Sequence, residues 1–224
     1  MEEGIILIDK PAGITSFGVV ARVRGFLTRK YGRKIKVGHT GTLDPFATGL
    51  MILVVGKECK NAEKYSKLDK VYEATIILGK TSSTSDPEGE IIDVAKDEPT
   101  SKEVEATLKK FVGKITQTPP IYSAIKIGGK RAYQLARKGQ AIEMPKREVE
   151  IFSLDLIDYK YPELKIRTHV SSGTYIRSLA EDIGKSLETG AYCNQLRRVS
   201  ISKWSVDGAE SLEGFSRDFW VANL

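Results

Sequence analysis

Segments with the length and composition of β-strands recur along the whole chain. They lie at residues 5–8, 35–37, 50–55, 71–79, 148–159, 163–170 and 194–204. In the segment 163–170, apolar residues such as Leu164 and Ile166 alternate with polar ones, which is typical of a strand with one buried face. Helical segments separate some of these strands, but without a regular βαβ alternation. The pattern therefore predicts an α+β fold, with a largely antiparallel mixed central sheet flanked by helices.

Four stretches have the apolar spacing of helices. They lie at residues 16–27, 57–67, 103–113 and 174–187. The first is expected to be capped by Thr15 or Ser16, with apolar positions that include Phe17, Val20 and Leu27, and the third to end at Gly113. Residues 119–147 are basic, rich in Gly and Tyr and weakly periodic, apart from a short helix near 132–138. We interpret them as an insertion in a single domain that spans residues 1–224.

The distribution of charge is more informative than the net charge of +6 and the pI of about 9.1. No carboxylate lies between Asp9 and Asp44. Two basic stretches hold Arg22, Arg24, Arg29, Lys30, Arg33, Lys34 and Lys36, and Lys126, Lys130, Arg131, Arg137, Lys138, Lys146 and Arg147. These stretches are either solvated faces or phosphate-contact surfaces, and charge alone favours neither.

Composition also limits the compartment and the cofactors. Cys59 and Cys193 lie far apart, which favours two reduced thiols in a cytoplasmic protein. Two His and two scattered Cys do not supply the usual ligand spacing of a zinc site. Apolar runs such as residues 50–55 have the length of strands, so we expect no membrane span and no secretion signal.

The segment GHTGTLDPFATG, residues 38–49, is the strongest candidate for chemistry. Its glycines permit close approach of a ligand, and Pro45 directs Asp44 away from the helical region. One interpretation is that Asp44 caps a one-turn helix with Pro45 at its first position. The other is that Asp44 is catalytic, since it is the only carboxylate in a basic neighbourhood and lies on a loop between two buried strands.

The segment GHTGTLDPFATGLMILVVG, residues 38–56, resembles the signature of the TruB family of tRNA pseudouridine-55 synthases. The resemblance continues in order through LDKVYEATIILG, TPPIYSAIKIGGKRAYQLARKG, SSGTYIRSLAEDIG and QLRRVSIS. It covers nearly the whole chain, and it implies the pseudouridine synthase fold with an RNA-clasping insertion at about 119–147. Typical bacterial members continue into a small PUA domain, and we expect this chain to be a short form without one. The family also usually has an acidic residue near Ser83, whereas here only Asp86 is retained.

The resemblance implies roles for individual residues. Asp44 would act as nucleophile or base, paired with Arg177, and Tyr72 would stack on the flipped base. From the sequence alone, Arg177 could instead pair with Glu181 one helical turn away, and Tyr72 could pack in the core. The remaining substrate-binding positions would be Lys10, His39, Gly41, Thr42, Lys130, Arg131, Tyr133 and Tyr175.

The implied substrate is the T-arm stem-loop of tRNA, from which the target uridine must be flipped out. The reaction breaks the C–N glycosidic bond and forms a C–C bond from C5 of the uracil, so we expect no metal and no cofactor. We also expect the enzyme to be a monomer. Two alternatives remain open. A guide-dependent synthase of the dyskerin kind shares the signature, and an RNA chaperone that folds tRNA without catalysis would use the same basic stretches.

Overall fold

The computed structural model describes residues 3–94, 97–136, 138–140 and 142–212. The strands are β1 (Gly4–Lys10), β2 (Val37–His39), β3 (Thr48–Val55), β4 (Lys70–Leu78), β5 (Lys80–Ser82), β6 (Ile91–Asp93), β7 (Gly113–Gln117), β8 (Lys126–Ile127), β9 (Lys130–Arg131), β10 (Arg147–Lys160), β11 (Glu163–Val170), β12 (Ala191–Ile201), β13 (Trp204–Ser205) and β14 (Glu210–Ser211). The α-helices are α1 (Ser16–Tyr31), α2 (Ala62–Ser66), α3 (Ser101–Lys109), α4 (Ala132–Ala136) and α5 (Ile176–Ser186). Two 3₁₀ turns lie at Gly56–Asn61 and Val206–Gly208.

The chain forms two compact units. Unit 1 holds the residues up to Tyr72 and those from Arg197 onward, and unit 2 holds Glu73–Leu196, so that β4 and β12 contribute residues to both. In unit 1 the strand order is β14–β1–β3–β12, with β2 also paired to β3 and β13 to β12. In unit 2 the order is β12–β4–β11–β10–β7.

The predicted fold class is confirmed. Most strand pairs whose register is described are antiparallel, including β1 with β3, β10 with β11 and β7 with β10. The pairs β1–β14 and β3–β12 are parallel, which makes the sheet mixed. In unit 1, one apolar core contains Ile5, Leu7, Ile52, Val54 and Ile201, with Tyr65 and Trp204 packed against it.

Helix α1 begins where its sequence predicts and ends at a glycine. The side chain of Thr15 accepts a hydrogen bond from the backbone N–H of Gly18 at 3.0 Å, and Gly32 follows the helix with a φ of 65°. The buried face is formed by Val19, Val20, Val23 and Leu27. Phe17, which shares the predicted apolar spacing, is not part of this face and is 64% exposed.

Several predicted boundaries are wrong. Gly113 does not end a helix: α3 stops at Lys109, a tight turn follows, and Gly113 begins β7 with a φ of 106°. Helix α5 begins at Ile176, and not near Ser172, because the backbone N–H of Tyr175 is bound by the side chain of Gln117. The predicted helix 57–67 is divided between a 3₁₀ turn and α2.

Candidate active site

The glycine-rich segment 38–49 forms the connection between β2 and β3 in unit 1, as predicted. The hydroxyl of Ser16, at the start of α1, accepts a hydrogen bond from the N–H of Leu43 at 2.8 Å and donates one to its carbonyl at 2.9 Å. The N–H and the hydroxyl of Thr40 both donate to the carbonyl of Ile52 at 3.2 Å. The backbone on the N-terminal side of Asp44 is therefore fixed to both a helix and a strand.

A buried lysine holds the other side of Asp44. Lys10 is fully buried, and its ammonium donates to the carbonyls of Pro11 and Ile14 at 2.8 Å and of Pro45 at 3.2 Å. The N–H of Gly13 donates to the same Pro45 carbonyl at 2.8 Å. A buried ammonium is tolerated when its donors are satisfied in this way. This geometry makes Lys10 a residue that positions the loop, and its predicted contact with substrate stays a prediction.

Asp44 is half-buried, and no helix follows it. Its carbonyl accepts a hydrogen bond from the N–H of Ala47 at 3.2 Å, which closes a turn before β3 begins at Thr48. The interpretation of Asp44 as a helix cap is therefore wrong. The loop presents a carboxylate whose backbone is held on both sides, which is the kind of rigid support that a catalytic group requires.

The buried side chain of Arg198 contacts this loop. The sequence alone predicted no role for this residue. It is 1% exposed, its Nε donates to the carbonyl of Leu50 at 2.7 Å, and its Nη2 donates to the carbonyl of Gly41 at 3.2 Å. The backbones approach so closely that a Cβ on Gly49 would lie 2.3 Å from the carbonyl oxygen of Arg198. The φ of Gly49 is also 106°, so only glycine fits there.

Lys70 lies beside Arg198 and is 7% exposed. Its ammonium donates to the carbonyls of Ser66 and Leu68. Burial, followed by repulsion from Arg198, lowers the pKa of Lys70 to about 8. Two residues later in β4, Tyr72 is 7% exposed, which is compatible with core packing. Its predicted stacking on a base stays a prediction.

Unit 2 contains a second buried cluster, centred on Arg177 in α5. The Arg177 side chain is 3% exposed, and its Nη1 lies 2.9 Å from Oδ2 of Asp86. Nη1 also donates to the carbonyl of Thr84 at 3.0 Å, and Nη2 donates to that of Tyr122 at 2.8 Å. The guanidinium is thus held by three acceptors from two segments of the unit, the loop of Thr84 and Asp86 and the residue Tyr122.

The Asp86 carboxylate is fixed in turn by its own loop. Its Oδ1 accepts hydrogen bonds from the Thr84 hydroxyl at 2.5 Å and from the N–H of Glu88 at 3.0 Å. Glu181 accepts a hydrogen bond from the hydroxyl of Ser85 at 2.5 Å. The described contacts of the Arg177 guanidinium are with Thr84, Asp86 and Tyr122, and not with Glu181. They do not support the interpretation that Arg177 and Glu181 pair along the helix.

Tyr175 immediately precedes α5 and is held by Gln117. Its N–H donates to Oε1 of Gln117 at 3.0 Å, and its carbonyl accepts from Nε2 at 3.1 Å. The guanidinium of Arg147 lies 5.2 Å from the centre of the tyrosine ring. The Tyr175 ring is thereby fixed at the start of α5, two residues before Arg177.

A model of the TruB family pseudouridylate synthases, N-terminal domain, matches residues 28–176. The chain belongs to this family. It is 44% identical over 216 residues to tRNA pseudouridine synthase B of Phocaeicola vulgatus, which covers 96% of this chain and 92% of that protein. It is 46% identical over 205 residues to tRNA pseudouridine synthase B of Fusobacterium nucleatum, covering 92% of this chain and 70% of that protein.

Among solved structures, the chain resembles one in a Cbf5–Nop10–Gar1 complex, with 26% identity and a TM-score of 0.71. The match covers 95% of this chain but spans only 53% of that one. The two residues with the clearest predicted roles, Asp44 and Arg177, each occupy a rigidly supported position within its own unit, and their roles stay predictions.

The remaining positions implied by the TruB resemblance are more accessible. His39, the last residue of β2, is half-buried; in the connection that carries Asp44, Gly41 is half-buried and Thr42 is exposed. Lys130 and Arg131 form the exposed strand β9 of a hairpin that turns at Gly128 and Gly129. Tyr133 is half-buried, and its N–H donates to the carbonyl of Ser123. Arg137 lies outside the described residues.

Both cysteines are free thiols, with Cys193 buried and Cys59 half-buried. In the described part of the chain, no three His, Cys, Asp or Glu side chains gather as a metal site would require. No helix among the described residues is long and apolar enough to cross a membrane.

Proposed function

We propose that this protein isomerises uridine to pseudouridine in tRNA. The observation that carries the proposal is membership of the TruB family, together with 44–46% identity to proteins named tRNA pseudouridine synthase B over most of both chains. We further propose that the target is position 55 in the T loop, that the T-arm stem-loop suffices as substrate, and that the protein acts as a monomer in the cytoplasm.

Asp44 is proposed as the catalytic residue. Detachment of uracil from its ribose can begin with attack of a carboxylate on C6 of the base, attack on C1′ of the sugar, or removal of the C2′ proton. All three need an ionised carboxylate held at a fixed place, and the hydrogen bonds of Ser16 and Lys10 to the neighbouring residues Leu43 and Pro45 support such a placement. The predicted pairing of Asp44 with Arg177 and the stacking by Tyr72 remain part of the proposal.

The isomerisation is balanced without another reactant. The N1–C1′ bond breaks, the uracil is reoriented, and C5 bonds to C1′. The hydrogen on C5 leaves to solvent, and N1 carries a proton in the product. The target base must first leave the stack, which costs a few kcal/mol, and stacking on an aromatic ring can offset about 1–3 kcal/mol of this.

Asp86 is proposed to orient Arg177. A carboxylate 2.9 Å from Nη1 fixes the plane of the guanidinium, and backbone carbonyls bind two further N–H groups. A guanidinium held on several sides cannot rotate to follow an incoming anion, so its remaining surface is preorganised for one partner. Asp86 is thus a positioning residue in this proposal.

A second candidate is a synthase that works in a complex with other proteins. The likeness to the chain in the Cbf5–Nop10–Gar1 complex favours it. The relatives named tRNA pseudouridine synthase B are more similar to this chain, and one is matched over 92% of its length, which favours an enzyme that acts without partners. A third candidate, an RNA chaperone without catalysis, would bind tRNA equally well but would not need Asp44.

One assay separates these candidates. A T-arm stem-loop RNA carrying tritium at C5 of the target uridine is incubated with the protein alone, and release of tritium to water reports C–C bond formation. We expect release by the native protein and by Asp207→Asn, which changes an exposed carboxylate, and none by Asp44→Asn, although that variant still binds RNA. Binding without release by the native protein would favour the chaperone or a partner-dependent synthase. Release by Asp44→Asn at the native rate would exclude Asp44 as the catalytic carboxylate.

A further inference from the structure

The outer side of helix α1 carries positive charge that the proposed chemistry does not use. Arg22 and Arg29 are exposed there, with the half-buried Gly25 between them, and Lys34 is exposed in the chain that follows the helix, three residues after its last residue Tyr31. We call these four residues the α1 face. The sequence from Lys10 to Leu43 contains no Asp or Glu, so the face has no carboxylate of its own segment to neutralise it.

The helix geometry places the two arginines in one row. Arg22 and Arg29 are seven residues apart, which puts them on the same side of α1 at a separation of about 10 Å along its axis. The side chain of Arg29 lies back over Gly25: a Cβ on Gly25 would be 3.6 Å from Nη1 of Arg29. The buried face of α1, which includes Val19, Val23 and Leu27, points the other way, so these cations are not needed for packing.

Structural roles account for only part of this charge. Arg29 is in the last turn of α1, where a cation interacts favourably with the helix dipole. Arg24 lies 5.9 Å from the ring centre of Phe17 and so has a stacking partner. Among the described residues, no carboxylate lies within 4.0 Å of the charged nitrogens of Arg22, Arg29 or Lys34. Like charges on one face repel, and an anion bound there would relieve that repulsion.

We propose that the α1 face binds the phosphate backbone of the substrate tRNA. The inference rests on the proposed function, which supplies the polyanion. The first turn of α1 contacts the loop of Asp44 through Ser16 and Leu43, whereas Arg29 lies thirteen residues farther, about 20 Å along the axis. The face therefore contacts phosphates away from the target uridine, and it contributes to affinity and not to the chemical step.

The test is a charge reversal with a matched control. The variant Arg22→Glu/Arg29→Glu/Lys34→Glu is compared with Lys102→Glu/Lys109→Glu/Lys110→Glu, which makes the same change in net charge at exposed positions of α3 and of the residue that follows it. Dissociation constants for an unmodified tRNA transcript are measured between 50 and 200 mM salt, and tritium release is measured in single turnover at saturating enzyme.

We expect the α1 variant to bind tRNA at least about tenfold more weakly. Loss of three phosphate contacts should reduce the slope of log K against log salt by about 2–3. Its single-turnover rate at saturation should stay within about threefold of the native rate, and the α3 variant should bind like the native protein. The corresponding Arg→Gln and Lys→Gln variant should show the same changes at smaller size, and it decides the question if the Glu variant does not fold.

Two results would overturn the inference. If the α1 variants bind tRNA with the affinity and salt dependence of the native protein, the α1 face does not contact tRNA. These cations would then contact an acidic protein, an anionic membrane or solvent. Equal losses in the α1 and α3 variants would mean that only net charge matters. Failure of the native protein to release tritium, by contrast, contradicts the proposed function itself, whatever the variants bind.

Discussion

Replacement of Arg198 by Met tests whether hydrogen bonds from a buried cation hold the loop of Asp44 in place. Met fills a similar volume but donates no hydrogen bond. The carbonyls of Leu50 and Gly41 would both lose a charged donor, at 2.7 and 3.2 Å in the native protein. Gly41 is three residues from Asp44, so any relaxation of its backbone changes the position of the carboxylate.

The size of the effect follows from the contacts. Hydrogen bonds to charged groups contribute about 1.5–3 kcal/mol each, so two lost bonds correspond to about 3–6 kcal/mol. Removal of a buried charge, and of its repulsion of Lys70, offsets part of this. We expect Arg198→Met to lower the free energy of unfolding by about 2–4 kcal/mol. A displacement of the carboxylate by about 1 Å would lower the rate of the chemical step by about a hundredfold.

The assay combines urea unfolding, RNA binding and single-turnover tritium release. The neighbouring arginine provides the control, because Arg197 pairs with Asp9 at 2.8 Å with both side chains partly exposed. Arg197→Met should therefore cost at most about 1 kcal/mol of stability. If Arg198→Met unfolds within about 1 kcal/mol of the native protein and keeps its single-turnover rate, the two carbonyls do not depend on Arg198, and the reasoning is refuted.

Two further predictions concern other buried charges. The pKa of Lys70 lies at about 8 in the folded protein and at its ordinary 10.5 in the unfolded chain, so between these pH values the unfolded chain binds more protons, and the free energy of unfolding should rise with pH by at most about 3 kcal/mol. Urea unfolding of the native protein and of Lys70→Met, measured from pH 7 to 10.5, should show this rise as a growing difference in stability between the two. A difference that stays constant would contradict the prediction. Asp86→Asn should destabilise unit 2 by about 3–5 kcal/mol, because it removes a buried carboxylate that lies 2.9 Å from the Arg177 guanidinium, whereas the exposed control Asp93→Asn should have little effect. Equal unfolding midpoints for the two variants would count against the prediction.

The parts of the fold that depend on local sequence could be predicted. Strand β11 has the predicted bounds, Glu163–Val170, because its alternation of apolar and polar residues is uninterrupted. The start of α1 could be predicted because Thr15 caps it locally. The start of α5 could not, since the N–H of Tyr175 is bound by Gln117, 58 residues earlier in the chain. Phe17 shares the apolar spacing of α1 and is nevertheless exposed, because spacing does not specify how far the covered face of a helix extends.

The same distinction separates the parts of the candidate site. The loop of Asp44 can be recognised in the sequence by its glycines and its proline, because the backbone preferences of these residues do not depend on distant parts of the chain. The supports of the site have no such signal. Arg198 binds two backbone carbonyls that lie 148 and 157 residues away, and every residue type has a carbonyl. The sequence signal that was available was a charged residue inside an otherwise strand-like segment, QLRRVSIS, where an apolar residue would be the ordinary choice.

Buried cations therefore connect the fold to the proposed chemistry. Lys10 and Arg198 are almost completely buried. Lys10 donates a hydrogen bond to the carbonyl of Pro45, which follows Asp44, and Arg198 donates one to the carbonyl of Gly41, which precedes it. Under the proposed function, their charges are also close to a loop that receives a polyanion and holds an ionised carboxylate, and a nearby positive charge favours both. A neutral hydrogen-bond donor would fix the same carbonyls at a smaller desolvation cost. The use of lysine and arginine at these positions is thus better explained by function than by stability, and Arg198→Met should separate the two, since its rate should fall by more than its loss of folded protein can account for.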